Sequence, residues 1–113
     1  MPAEPDLRRL WRVVAAIPSG RVLSYAEVAR RSRLPGGPRQ VARALRLAPL
    51  DLHLPWHRVV NSRGRPGLPA GSPEHAEQLA RLQAEGFDVA RPLPLGDGQG
   101  PVKTLDEWLW GPG

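Results

Sequence analysis

The stretch that most constrains this chain is Leu34-Pro35-Gly36-Gly37-Pro38, which neither a helix nor a strand can cross. Proline has no amide hydrogen to give and glycine has no Cβ to restrict it, so the chain must turn here. Pro38 suits the first position of a following helix. Before the turn, Ser24-Tyr25-Ala26-Glu27 has the form of a capping box, with Ser24 as N-cap and Glu27 three residues on. The short helix it opens is expected to reach about Arg31 and to bury Val28 and Ala29. After the turn, Val41, Ala44, Leu45 and Ala48 fall on one side of a helix and Arg39, Arg43 and Arg46 on the other. Two short helices around a tight glycine turn, the second with an arginine face, predict a helix-turn-helix.

The remaining segments arrange themselves around that pair. Leu7, Leu10, Trp11, Val14 and Ile17 form an apolar helical stripe, with Asp6 as the expected N-cap and Pro18-Ser19-Gly20 as the stop. Arg21-Val22-Leu23 reads as a short extended piece. Residues 61–67, Asn-Ser-Arg-Gly-Arg-Pro-Gly, read as a wing or exposed loop. Ser72-Pro73 starts another helix, with Ala76, Leu79 and Leu82 expected inward. Gly86 at C′ and Phe87 at C″ predict a Schellman end. The expected architecture is mainly α: one winged-helix-like domain over residues 1–113, with a core at about 5–90 and a tail at 91–113. Trp108 and Trp110 suggest that the tail docks onto the domain.

Charge and composition narrow the function. Between residues 21 and 65 there are ten arginines against Glu27 and Asp51, a net of +8, whereas residues 66–113 carry a net of −4. A concentrated basic middle suggests a polyanion such as nucleic acid. The bland alternative is a solvated arginine-rich surface, in keeping with fifteen Arg against one Lys. With no Cys, the chain has no disulfide, no thiolate metal site and no thiol nucleophile. No apolar run approaches the ~20 residues of a membrane span. A cytoplasmic monomer without membrane or cofactor is expected, at the nucleoid if the source is bacterial.

The segment His53-Leu54-Pro55-Trp56-His57-Arg58-Val59-Val60 fits neither period. It packs a Trp, two His and an Arg between apolar residues, as the floor of a site would.

These pieces together carry a resemblance. Ile17-Pro18-x-Gly20-x-Val22-x-Ser24-Tyr25, Arg39-x-Val41, Pro55-x-His57-Arg58-Val59-Val60-x-Ser62 and Glu85-Gly86 are similar to the DNA-binding domain of O6-alkylguanine-DNA alkyltransferases. The resemblance covers residues 17–86. Those enzymes carry Pro-Cys-His-Arg, and the Cys accepts the alkyl group. Trp56 at the Cys position resembles instead the alkyltransferase-like proteins, which bind alkylated DNA without repairing it. The chemistry agrees, since dealkylation needs a thiolate and an indole is no substitute. His57 and Glu85, which keep the positions of the activating partners, are expected to be a structural relic of that active site. Ala42 stands where the enzymes usually have Gly, and Ala48 where they usually have Asn.

The resemblance implies roles for further residues. Arg39 would enter the base stack while Tyr25 presses on the neighbouring phosphate, so that the pair flips a nucleotide out of the duplex. The base would enter a pocket formed by Pro55, Trp56, His57, Arg58, Val59 and Leu68. Gln40, Arg43, Arg46, Ser62, Arg63 and Arg65 would hold the DNA backbone. The implied partners are double-stranded DNA containing O6-alkylguanine and the damage-recognition proteins of nucleotide excision repair. The alternative is a winged-helix transcription regulator that reads sequence, for which only Gln40 on the second helix is a suitable base reader.

Overall fold

The computed structural model describes residues 3–95, so the expected docking of Trp108 and Trp110 lies outside the described residues. Within them the protein is mostly helical, as expected. Helix α1 spans Glu4–Ala15, α2 Tyr25–Ser32, α3 Val41–Arg46 and α4 Pro73–Ala84. Strands β1 (Leu23–Ser24) and β2 (Val59–Val60) pair in parallel, Leu23 beside Val59 and Ser24 beside Val60.

The predicted turn lies between α2 and α3. Gly36 and Gly37 both have positive φ, 87° and 71°, which a side chain would oppose. The chain then makes a 3-10 turn over Gly37–Gln40 before α3 begins, so the second helix is shorter than its sequence pattern. Val41 and Ala44 are buried as expected, while Ala48 lies beyond the helix end. The Ser24 side chain accepts the Glu27 amide at 3.0 Å, which is the predicted N-cap of α2.

Two expectations need correction. Asp6 is not the N-cap of α1: the helix starts earlier, with Ala3 as N-cap and Asp6 at N3. Pro5 has no amide to leave unsatisfied, so the first turn extends back through it. The Asp6 carboxylate accepts the Ala3 amide at 3.1 Å, serving the helix start from inside. Leu82 is buried as expected and Leu79 partly so, but Ala76 is exposed and α4 turns Gln78 inward in its place. Gln78 Nε2 donates to the carbonyls of His57 and Val59 at 3.1 and 3.0 Å, which fixes the rotation of the helix. The end of α4 follows the sequence reading. Phe87 donates to Leu82 O and Gly86 to Gln83 O, the two bonds of a Schellman motif.

The short sheet divides the core. Successive strand residues point to opposite faces. Leu23 and Val59 therefore join Leu10, Val14, Ile17, Val28, Val41 and Ala44 between the first three helices. Val22 and Val60 face the other way and pack with Leu82 and Leu93, with Phe87 against them. Two further ties hold the helix-turn-helix to α1. Trp11 Nε1 donates to Ala44 O at 2.9 Å, and Arg9 donates to the carbonyls of Ser32 and Arg33 at the end of α2.

One carboxylate joins the two halves. Glu85, at the C-cap of α4, receives Arg58 Nη2 at 2.7 Å, His57 Nε2 at 2.7 Å and the Gly20 amide at 3.3 Å. Arg58 also donates to Ile17 O at 2.7 Å. Burial raises the Glu85 pKa, but the bonds from Arg58, His57 and Gly20 outweigh it and hold the carboxyl at about 2. Burial lowers the His57 pKa, against the pull of Glu85. An ionised Glu85 can only accept, so Nε2 of His57 carries the shared hydrogen.

Both native pKa values lie below their unfolded ones, so the unfolded chain binds more protons and stability must fall as pH falls. The loss is expected to begin near 6.5, through His57, and to continue between 4.5 and about 2, through Glu85. Urea unfolding at a series of pH values checks this against Glu85→Gln. The variant should be less stable at neutral pH and should lose much of the slope below 4.5; an unchanged slope would place its origin elsewhere.

Candidate nucleic-acid interface

The basic middle of the chain resolves into two classes of arginine. Arg30 and Arg31 are bound by Glu27, and Arg58 by Glu85. These hold the fold together. Arg39, Arg43 and Arg46 are exposed and, among the described residues, make no ion pair. With Gln40 and Leu47 they line a shallow depression of about 420 Å³. This face carries uncompensated positive charge, as a phosphate-binding surface must.

Tyr25 stands where three elements meet. It is the first residue of α2 and packs against the core. A Cβ on Gly67 would come within 2.9 Å of its hydroxyl oxygen, so the chain after the wing turn lies directly on the phenol ring. Burial raises the Tyr25 pKa, partly offset by the nearby charge of Arg46. The phenol is therefore neutral and able to donate. The loop itself is a closed turn, with Asn61 Oδ1 accepting the amides of Arg63 and Arg65, both at 3.0 Å. Ser62, Arg63 and Arg65 are exposed on it.

The segment around Trp56 is a 3-10 turn, Trp56–Arg58, leading into β2. It points successive residues in different directions. His57 is buried against Glu85, with its Nδ1 without a partner, and Arg58 reaches Glu85 and Ile17. Val59, only 1% exposed, belongs to the core. Trp56 alone of the expected pocket residues lines a surface cleft of about 240 Å³. Its other walls are Leu45, Ala48, Pro49, Leu50, His53, Leu54 and Arg81. Pro55 and Leu68 are partly buried and are not among the residues that line it.

Sequence reasoning misses most of these walls. Leu50 is 93% exposed, and a single exposed aliphatic residue carries no signal of a site in the sequence. His53, the C-cap of the 3-10 turn Leu50–Leu52, has a φ of 47°, an uncommon conformation for a non-glycine residue. Arg81, twenty-five positions from Trp56, gives no sequence signal. Its guanidinium carbon lies 5.7 Å from the Trp56 ring centroid. The edge of the indole meets His57, with ring centroids 6.4 Å apart and planes at 89°.

Among the described residues no cluster of three or more His, Asp or Glu could hold a metal ion, and no helix is long and apolar enough to cross a membrane. The chemistry on offer is cationic contact, stacking and hydrogen bonding.

Comparison with known proteins points the same way. "Alkyltransferase-like protein 1" of Schizosaccharomyces pombe is 35% identical over 104 residues, 92% of this chain and 93% of that protein. "DNA base-flipping protein" of Escherichia coli is 42% identical over 83 residues, 74% of this chain but 63% of that protein. "Methylated-DNA--protein-cysteine methyltransferase" of Methanothermobacter thermautotrophicus is 40% identical over 82 residues, 73% of this chain and 44% of that protein. The crystal structure of S. pombe Atl1 in complex with damaged DNA containing O6-carboxymethylguanine superposes with a TM-score of 0.66 at 36% identity, covering 76% of this chain and 80% of that one. Residues 6–87 match the family described as "6-O-methylguanine DNA methyltransferase, DNA binding domain". The chain thus belongs to the DNA-binding-domain family of the 6-O-methylguanine DNA methyltransferases, and within it is similar to alkyltransferase-like and base-flipping proteins as well as to methyltransferases.

Proposed function

We propose that the protein is a non-enzymatic sensor of O6-alkylguanine in duplex DNA. The observation that carries this reading is Trp56, which lines the cleft beside Arg81 while Pro55, His57 and Arg58 do not. Its neighbours His57 and Arg58 are locked in hydrogen bonds to Glu85. Where a reacting thiolate would have to stand, there is an aromatic surface. Arg39 enters the stack and Tyr25 presses on the adjacent phosphate, so that the damaged nucleotide rotates outward. Flipping costs a few kcal/mol, less for a lesion that pairs badly. A base stacked on an aromatic side chain recovers about 1–3 kcal/mol. Arg43, Arg46, Arg63 and Arg65, which make no ion pair among the described residues, hold the backbone, with Gln40 and Ser62 as neutral contacts.

The names of the similar proteins support damage binding and base flipping, and the absence of Cys supports a binding step with no transfer. No bond is broken at the lesion, so the damage must be removed by other proteins. Nucleotide excision repair, which removes a damaged stretch whatever its chemistry, fits that need. Its damage-recognition proteins are the proposed protein partner. The epistasis test is direct: deleting the gene should sensitise cells to alkylation only while excision repair is intact. Added sensitivity in an excision-deficient strain would separate the two.

Binding to otherwise identical duplexes with and without one O6-methylguanine tests the core of the proposal. The modified duplex, which costs less to open, should bind at least about tenfold tighter. Equal affinity would remove the reading. Arg39→Ala should largely abolish binding to the lesion, and survival of that affinity would rule out an inserted arginine. Trp56→Ala should lower the preference for alkylated DNA more than it lowers general affinity. Equal losses on both duplexes would make Trp56 a packing residue only. Replacing Arg43, Arg46, Arg63 or Arg65 by Ala should reduce the slope of log affinity against log salt by roughly 0.9 for each phosphate left without its cation.

A further inference from the structure

The cleft beside Trp56 has a cationic wall that the arginine face of the helix-turn-helix does not supply. Arg81 comes from α4, on the far side of the sheet from α1. Its side chain is 48% exposed and its Nη2 lies 2.5 Å from Glu77 Oε2, one helical turn back. It both lines the cleft and stands over the indole face, 5.7 Å from the centroid. A base that stacks on Trp56 must meet this guanidinium. The remaining walls are aliphatic apart from His53, so Arg81 is, among the described residues, the one permanently charged group that lines the cleft.

We propose that Arg81 is a specificity-determining residue of the cleft, one that favours O6-alkylguanine over guanine by donating to the base edge. The inference rests on the damage-sensor reading above. Alkylation at O6 fixes the guanine ring in the form that has lost its N1 hydrogen. The modified edge then presents acceptors at O6 and N1, with N7 beyond. Unmodified guanine keeps N1–H, a donor. A guanidinium has five N–H donors and no acceptor. On the O6–N1 side Arg81 therefore meets two acceptors of the alkylated base but a donor beside an acceptor on the normal one, so discrimination comes from repulsion at N1–H. The O6–N7 side, where an arginine fork suits normal guanine, would give no such preference. Glu77 holds the side chain over Trp56 without burying it, and an exposed pair of this kind is weak enough to yield when a base enters.

Arg81→Ala and Arg81→Lys, with fluorescence anisotropy on O6-methylguanine and unmodified duplexes at one salt concentration, test this. The Arg81 side chain is half-exposed, so both variants should melt within a few degrees of the parent. Arg81→Ala should lower the ratio of modified to unmodified affinity by about tenfold, with unmodified affinity changed less than about twofold. Arg81→Lys should leave most of that loss in place, because a compact ammonium lacks the planar fork. Equal losses on both duplexes, with a salt slope reduced by roughly 0.9, would make Arg81 a phosphate contact and overturn the proposal. An unchanged ratio, or full recovery by Lys, would overturn it too. In those cases a parent protein that still prefers the lesion keeps the sensor reading intact. A parent with no preference would remove both.

Discussion

The Glu85 carboxylate is the group on which the arrangement depends. It closes α4, and in one place it binds the side chains of His57 and Arg58 and the amide of Gly20. A carboxylate with little access to water is costly unless its oxygens are fully bonded. Here the bonds come from separate stretches of chain, so satisfying the charge also brings those stretches together. Arg58 extends the link to Ile17 O, just past the end of α1. Position 56 is consequently held from behind by two locked residues and from in front by Pro55. Trp56 presents its ring outward because the segment that follows it has no freedom to turn.

That clasp works with the division of the core. Leu23 and Val59 face the helical side, while Val22 and Val60 face α4 and Leu93. A parallel pair of two residues each could not persist alone. It persists because each strand is clamped by an apolar layer on both faces, and because Gln78 takes up carbonyls at His57 and Val59. The same amide sets the rotation of α4, and that rotation brings Arg81 over Trp56. A buried polar residue on a helix face expected to be apolar thus decides which cation borders the cleft.

How much of this is legible in the sequence depends on the range of the interaction. The capped start of α2, the glycine turn before α3 and the Schellman end of α4 are local, each fixed by hydrogen bonds spanning a few residues. Sequence spacing reads such features directly. Periodicity puts Ala76 inside because it weighs apolar character and cannot see the His57 and Val59 carbonyls that draw Gln78 inward. It sets the start of α1 one turn late, at Asp6, because Pro5 can lie inside a first turn as well as before it. The motif Pro55-Trp56-His57-Arg58 identifies the site, but not its walls. Those come from the α3 end, the 49–54 loop and α4, and are assembled only by tertiary packing.

Exchanging a thiol for an indole changes what the rest of the site must accomplish. A transferring protein is committed once the alkyl group has moved, and its pocket needs to hold the base only until then. A sensor has no such committing step. It must separate damaged from normal guanine by equilibrium affinity and by how long the complex lasts. Stacking on Trp56 is gained only by a base that has been flipped, so it amplifies the preference for a readily flipped lesion. It does not itself tell one flipped base from another, since every base has a π-face. The uncompensated arginines are indifferent to sequence as well. Discrimination must therefore come from the ease of flipping a poorly paired lesion and from a group that reads the edge of the extruded base. His57 does not serve as that group, since its Nε2 is committed to Glu85 and its ring is buried. The cleft offers Arg81, whose ion pair among the described residues is with half-exposed Glu77 and whose guanidinium already stands over the Trp56 ring. On the proposed sensor reading, His57 and Arg58 keep the geometry through Glu85, and selectivity falls to the wall that the clasp leaves open.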